Sequence, residues 1–167
     1  MNKKIVAIVL VVALAVTGLF AASTEGTAKK GQFSIGAGIG TDISVVGKYG
    51  MGKFDLQGDL SLDFLNGNAF SIDCGAFYNF YDWNVVSSSL KAPQYISFTT
   101  GPVAKIMVKN GISLGAIWGA GAEYTFPKVP VTVFLKVGLG AKFVFGEDFS
   151  VGPTGMGVLG AVYNLSL

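Results

Sequence analysis

The sequence contains no histidine, no arginine and a single cysteine, Cys74. With one thiol and no imidazole, the chain alone can form neither a disulfide nor a metal site of the cysteine and histidine type. The 12 basic residues are all lysines and are scattered, for a net charge of +2, which argues against binding to nucleic acid. No catalytic constellation is visible, so the sequence predicts no enzyme activity, no metal and no cofactor.

Residues 1–23 have the features of a secretory signal peptide. Lys3 and Lys4 form a basic start, an apolar run follows to Phe20, and Ala21 and Ser23 are small enough for a cleavage site. The apolar run is shorter than the roughly 20 residues that a membrane-spanning helix prefers. No cysteine follows it, which excludes a lipid-modified N-terminus. The sequence therefore predicts export, with a short leader at residues 24–31 and one β-barrel domain at residues 32–167.

From Gln32 onward, apolar residues alternate with small or polar residues. Between residues 54 and 64, Leu56 and Leu60 share one face of a strand, while Asp55 and Asp59 lie on the other. A helix would scatter these carboxylates around its circumference. Seven further segments show the same period of two, so the sequence predicts an all-β, eight-stranded, antiparallel, up-and-down β-barrel.

The length of each connection decides whether the apolar residues of two neighbouring strands lie on the same face of the sheet. We expect short loops at residues 41–43, 66–68, 109–111, 127–130 and 144–148, and the longest connection at residues 81–93. Pro102 and Pro153 lack the amide donor of a strand ladder, so we expect bulges or strand ends there.

The face opposite the apolar one is mostly glycine and serine. The interior of an eight-stranded barrel only just accommodates side chains, so this face fits the lumen and the apolar face then requires lipid. The barrel is therefore predicted to be transmembrane. Isolated charges in such a lumen would be costly. We expect an ion-pair network that plugs the lumen, with Lys48 opposite Asp55 and Glu123 diagonal to Lys136. Its predicted members are Lys48, Asp55, Asp59, Asp63, Asp73, Lys105, Glu123, Lys136 and Lys142.

Aromatic residues near the strand ends are typical of the two interfaces of a bilayer. Trp118, in the middle of a strand, does not fit that pattern. One predicted rim contains Phe54, Phe80, Tyr124, Phe126 and Tyr163, and the other contains Phe64, Phe70, Phe143 and Phe149.

Two other interpretations stay open. The same alternation could form a soluble periplasmic barrel that binds a lipid or small apolar ligand, and Asp59, Asp63 and Asp73 could bind a cation, although nearby lysines favour a structural role. The glycine run from Gly155 to Gly160 matches the dinucleotide-binding pattern, but that motif needs a following helix. We interpret it as part of a strand.

Residues 32–167 resemble the small outer-membrane β-barrel family that includes the membrane domain of outer membrane protein A. The resemblance is carried by the signal peptide, the eight alternating segments and a C-terminal alternation of Tyr163, Leu165 and Leu167, where the family usually ends in phenylalanine. It implies a monomer in the bacterial outer membrane that contacts outer-membrane lipids and the outer-membrane insertion machinery. It also implies a role in envelope structure or minor permeability. Some relatives of this architecture are lipid-modifying or proteolytic enzymes, and a resemblance to them would require a histidine at the active site, which this chain lacks.

Overall fold

The computed structural model describes residues 30–85, 94–109, 111–145 and 149–165. The predicted signal peptide, most of the predicted leader and the last two residues lie outside the described residues. Among those described, no helix is long and apolar enough to cross a membrane.

The described chain forms eight strands joined in sequence order. Each strand pairs antiparallel with the next, and β1 pairs with β8, so the sheet closes into a barrel. This confirms the predicted all-β, eight-stranded, up-and-down β-barrel. The strands are β1 Phe33–Gly40, β2 Asp42–Gly50, β3 Phe54–Asp63, β4 Ala69–Val85, β5 Gln94–Val108, β6 Ile112–Thr125, β7 Val131–Phe145 and β8 Ser150–Leu165.

Burial alternates along each strand because successive side chains point to opposite faces of a sheet. In β2, Val46 and Lys48 are buried, whereas Val45 and Tyr49 are exposed. The buried face is the one that the sequence assigned to small and polar residues. The barrel therefore has mainly apolar side chains outside and most of its charged side chains inside.

The strands are staggered by ten residues around the barrel. Ile35 on β1 pairs with Gly47 on β2, and following the paired residues from strand to strand around the barrel leads to Pro153 on β8. Ile35 itself, however, pairs with Tyr163 on β8, which lies ten positions further along the chain. Such a stagger tilts the strands by roughly 35–45° and sets the barrel's diameter. The intermediate partners are Gly58, Cys74, Ala104, Ala116 and Ala141.

The register agrees with two of the predicted connections. Val108 pairs with Ile112, and Thr125 pairs with Thr132, as loops at residues 109–111 and 127–130 require.

For the predicted loops at residues 41–43, 66–68 and 144–148, the observed pairing differs by two residues. Asp63 pairs with Ala69, for example, across a turn in which Gly67 and Asn68 both have positive φ. A shift of two keeps every side chain on its face, so the alternation alone could not detect it.

The predicted connection at residues 81–93 is wrong in its bounds. A bulge between Asn79 and Tyr81 shifts the register of β4 against β5, and both strands continue past it. The bulge leaves Phe80 and Tyr81 both exposed. A prediction based on strict alternation therefore ends β4 too early.

The two prolines lie where the ladder tolerates them. The pairing of β4 with β5 is interrupted between the Gly75–Val103 and Tyr78–Thr100 pairs, beside Pro102. Pro153 lies in the part of β8 that pairs with β7, before the ladder with β1 begins at Val158. The prediction of a bulge or strand end is wrong for Pro102, which lies in the middle of β5 without a shift of register. Each proline lies instead where one of its strand's two ladders is interrupted or absent.

Glycine is required where strands pack most tightly, and this gives a matched pair of variants. A Cβ added to Gly101 would lie 3.0 Å from Phe77 Cα and closer still to the Ala76 carbonyl oxygen, whereas nothing lies within 4 Å of one added to Gly58. We expect Gly101→Ala to lower the free energy of unfolding by about 1–3 kcal/mol and Gly58→Ala to leave it almost unchanged. Equilibrium unfolding in urea measures both, and equal stability of the two variants would contradict the packing described.

Candidate functional site

The charged side chains of the lumen form two clusters. We call the end of the barrel where β1 begins and β8 ends the terminal end, and the other the opposite end. The terminal-end cluster lies on β2, β3, β6 and β7, and the opposite-end cluster on β2, β3, β4 and β5.

The terminal-end cluster contains two lysines and two carboxylates. The Lys48 ammonium contacts Glu123 Oε2 and lies 3.6 Å from Asp55 Oδ2, while Lys136 Nζ lies 3.1 Å from Glu123 Oε1. Lys136 Nζ also donates a hydrogen bond of 2.7 Å to Gln57 Oε1. The charges balance, and the contacts join strands on opposite sides of the lumen.

Within this cluster, the register places the partners differently from the sequence prediction. Gln57 is directly opposite Lys48, and Asp55 is opposite Gly50, so the Lys48–Asp55 contact is diagonal. The prediction that Lys48 lies opposite Asp55 is therefore wrong by two positions. A long lysine side chain spans this difference, since diagonal neighbours across strands remain within its reach.

The opposite-end cluster has one lysine among three carboxylates. Lys105 Nζ lies 2.7 Å from Asp63 Oδ2, 3.2 Å from Asp73 Oδ2 and 3.5 Å from Asp42 Oδ2, and all four residues are almost completely buried. The sequence reasoning missed Asp42, because it placed this residue in the first loop. Its alternation with Ser44 and Val46 along β2 was the available signal.

Two residues of the predicted network are held by amides. Asp59 accepts hydrogen bonds of 3.0 and 3.1 Å from Gln57 Nε2, and Lys142 Nζ donates one of 2.6 Å to Asn66 Oδ1. Neither makes an ion pair within 4.0 Å among the described residues. The other seven predicted residues take part in the two clusters.

Apolar side chains also fill the lumen, which the sequence predicted to be mainly glycine and serine. Phe77 and Phe134 are each 1% exposed, and Lys136 Nζ lies 3.4 Å from the centre of the Phe77 ring. Gly119 faces the Phe77 ring and Gly160 faces the Phe134 ring, so the glycines leave room for the aromatic rings. The two apolar clusters are Val46, Phe134, Val158 and Val162, and Phe77, Val103, Ile117 and Met156.

A polar cavity of about 520 Å³, which we call the vestibule, lies inside the terminal end. Its walls carry hydroxyl and amide groups from several strands. Ser34 Oγ donates to Asn164 Oδ1 at 2.8 Å, Asn164 Nδ2 donates to Thr132 Oγ1 at 3.0 Å, and Thr132 pairs with Thr125. The ion-paired Lys48 and Glu123 also line it.

On the outer surface, Trp118 is 63% exposed in the middle of β6. Its indole Nε1 donates a hydrogen bond of 3.0 Å to Thr100 Oγ1, which donates one of 2.9 Å to the Gly119 carbonyl oxygen. The polar groups of this exposed side chain are thus satisfied without water.

Aromatic pairs lie near both ends of the barrel. Phe54 contacts Tyr78, and Tyr124 contacts Phe126 edge to face, near the terminal end. The ring of Phe149 packs against those of Phe143 and Phe145 near the opposite end, where β7 gives way to β8.

The carboxylates of the opposite-end cluster surround the ammonium group of Lys105 and not a space for a metal ion. In the part of the chain that the structure describes, no group of three or more carboxylate or cysteine side chains is arranged to hold a metal ion. Comparison of the chain with family models, curated proteins and solved structures finds no match. The geometry of the barrel is therefore the basis for a functional assignment.

Removal of Lys105 tests the opposite-end cluster. In Lys105→Met, three buried carboxylates lose their shared cation, and we expect a loss of about 3–5 kcal/mol in the free energy of unfolding. Lys142→Met is the control, since it removes a lysine that is bonded to an amide, and should cost about 1–3 kcal/mol. Urea unfolding at neutral pH measures both. The penalty for Lys105→Met should shrink in acid, where carboxyl groups become neutral, and a penalty independent of pH would contradict this account.

Proposed function

We propose that this chain is a non-enzymatic, integral barrel of the bacterial outer membrane, of the small outer-membrane type, that contributes to envelope structure and has a lumen closed to ions. One observation carries the proposal: the outer surface is apolar over the length of the strands. Leu139 is 81% exposed, and Ile39 and Leu60 are more than half exposed. Apolar surface in water costs about 25 cal/mol per Å², and continuous patches of this kind mark contact with lipid or protein.

The outer polar groups fit a lipid environment. A hydrogen-bond donor without a partner is costly where no water is present. The Trp118 indole N–H has a partner, because it donates to Thr100 Oγ1. Aromatic pairs near both ends are consistent with the two interfaces of a bilayer.

In the alternative, a soluble lipid-binding barrel, the apolar face of the sheet would be inside and the polar face outside. It requires apolar side chains to line an internal cavity that can hold an acyl chain. The internal vestibule instead combines hydroxyl, amide and charged groups with apolar residues such as Phe126 and Val162, and the large apolar side chains on the outside are exposed. We therefore favour the membrane barrel.

The two tryptophans give a depth measurement. Trp118 is outward-facing in the middle of β6, and Trp83 is exposed beyond the bulge near the end of β4. In bilayers of brominated lipid, Trp83→Phe, which keeps Trp118, should be quenched most by bromine deep in the acyl chain. Trp118→Phe, which keeps Trp83, should be quenched most by bromine near the headgroup.

Heat-modifiable migration in a gel is the control for folding of both variants. If folded, bilayer-associated protein showed no quenching at either tryptophan, the outer surface would not face lipid and the proposal would fail. A mature chain that a carbonate wash releases from membranes would have the same consequence.

The filled lumen gives a second prediction. Two apolar clusters and two ion-pair clusters occupy the interior between the ends of the barrel. Planar-bilayer recordings of the folded chain should therefore show no large, stable single-channel conductance. A stable open level of the kind seen with wide porins would contradict a closed lumen.

A further inference from the structure

The vestibule is a cavity that the closed-barrel proposal does not use. Its volume of about 520 Å³ is within the usual range of small-molecule sites, roughly 300–1,000 Å³. It lies at the terminal end of the barrel, and the ion-paired Lys48 and Glu123 form part of its lining. It therefore has the size of a binding pocket.

The buried charges of the vestibule, those of Lys48, Asp55 and Glu123, are already paired. Lys48 contacts both Asp55 and Glu123, and Glu123 also pairs with Lys136, so two positive and two negative charges balance at the base. Lys128, at the mouth, is exposed to solvent. A ligand that brought a charge to the base would have to displace one of these buried pairs, which is costly. The pocket therefore favours a neutral molecule.

The walls offer hydrogen bonds to such a molecule. Thr132 and Asn164 are buried, and each carries a polar side chain into the vestibule. Thr99 is only 1% exposed and lines the vestibule, yet its Oγ1 has no hydrogen-bond partner within the described residues. A buried hydroxyl without a partner is unfavourable, and a ligand hydroxyl would satisfy it.

The mouth adds aromatic surface. Tyr95 and Phe126 line the cavity and are each more than one-third exposed. Hydroxyl and amide partners beside aromatic faces match the ring of a sugar, which has hydroxyl groups at its edge and C–H groups on its faces. We propose that the vestibule binds a small, neutral, polyhydroxylated molecule of mono- or disaccharide size. This inference goes beyond the proposed function and does not depend on where the barrel is located.

Three related sugars test the proposal on the folded chain in detergent micelles. Glucose is neutral, glucosamine carries a positive charge and glucuronate carries a negative charge on a similar ring. In amide NMR titrations, we expect glucose to shift the signals of Thr99, Thr132 and Asn164 saturably. Binding of the two charged sugars should be at least about tenfold weaker, because each must disturb a buried ion pair. The absence of saturable shifts with glucose, or equal binding of a charged sugar, would overturn the proposal.

Thr99→Val and Thr154→Val form a matched pair of variants. Both threonines are buried in the barrel with an Oγ1 that has no partner among the described residues, but only Thr99 lines the vestibule. Neither substitution removes an internal hydrogen bond, so both variants should fold. We expect Thr99→Val to weaken glucose binding about fivefold and Thr154→Val to leave it unchanged. Equal effects of the two variants would place any binding outside the vestibule. Because this experiment needs no bilayer, its outcome is independent of the lipid-quenching result.

Discussion

Closure of the sheet with a stagger of ten residues determines which side chains meet inside this protein. Closure pairs β1 with β8 and separates the side chains into an outer and an inner set. It also brings together residues that are distant along the chain. Lys48 on β2 meets Glu123 on β6, and Lys136 on β7 meets Gln57 on β3. These contacts exist only when the ring is closed at this stagger.

Alternation along single strands was sufficient to predict the number of strands, their order and the inner face for the nine charged residues assigned to the lumen, although it missed Asp42. It required only local information, since the period of two is a property of the extended backbone. The register required more. Asp63 pairs with Ala69 rather than with a residue two positions away, and both arrangements preserve the faces. The exact partner of each lysine was therefore not accessible from the pattern.

Two structural features lay outside what alternation can report. The bulge beside Phe80 changes the phase of β4, so the extension of that strand looked like a loop. Phe77 and Phe134 lie on the inner face among glycines, and their neighbours across the lumen depend on the closed register. The structural role of a glycine such as Gly160, which leaves space for the Phe134 ring, therefore cannot be inferred from the sequence of its own strand.

The two charge clusters make the ends of the lumen chemically different. Near the terminal end, Lys48 and Lys136 balance Asp55 and Glu123, whereas Lys105 alone faces three carboxylates near the opposite end. A balanced cluster contributes no net charge to the adjoining cavity, so hydrogen bonding and shape weigh more heavily in what that cavity accepts. Between the two charge clusters, buried apolar side chains occupy part of the lumen. The interior therefore changes in character along the barrel axis, from a balanced charge cluster beside a cavity to an apolar middle and then to a cluster with an excess of carboxylates.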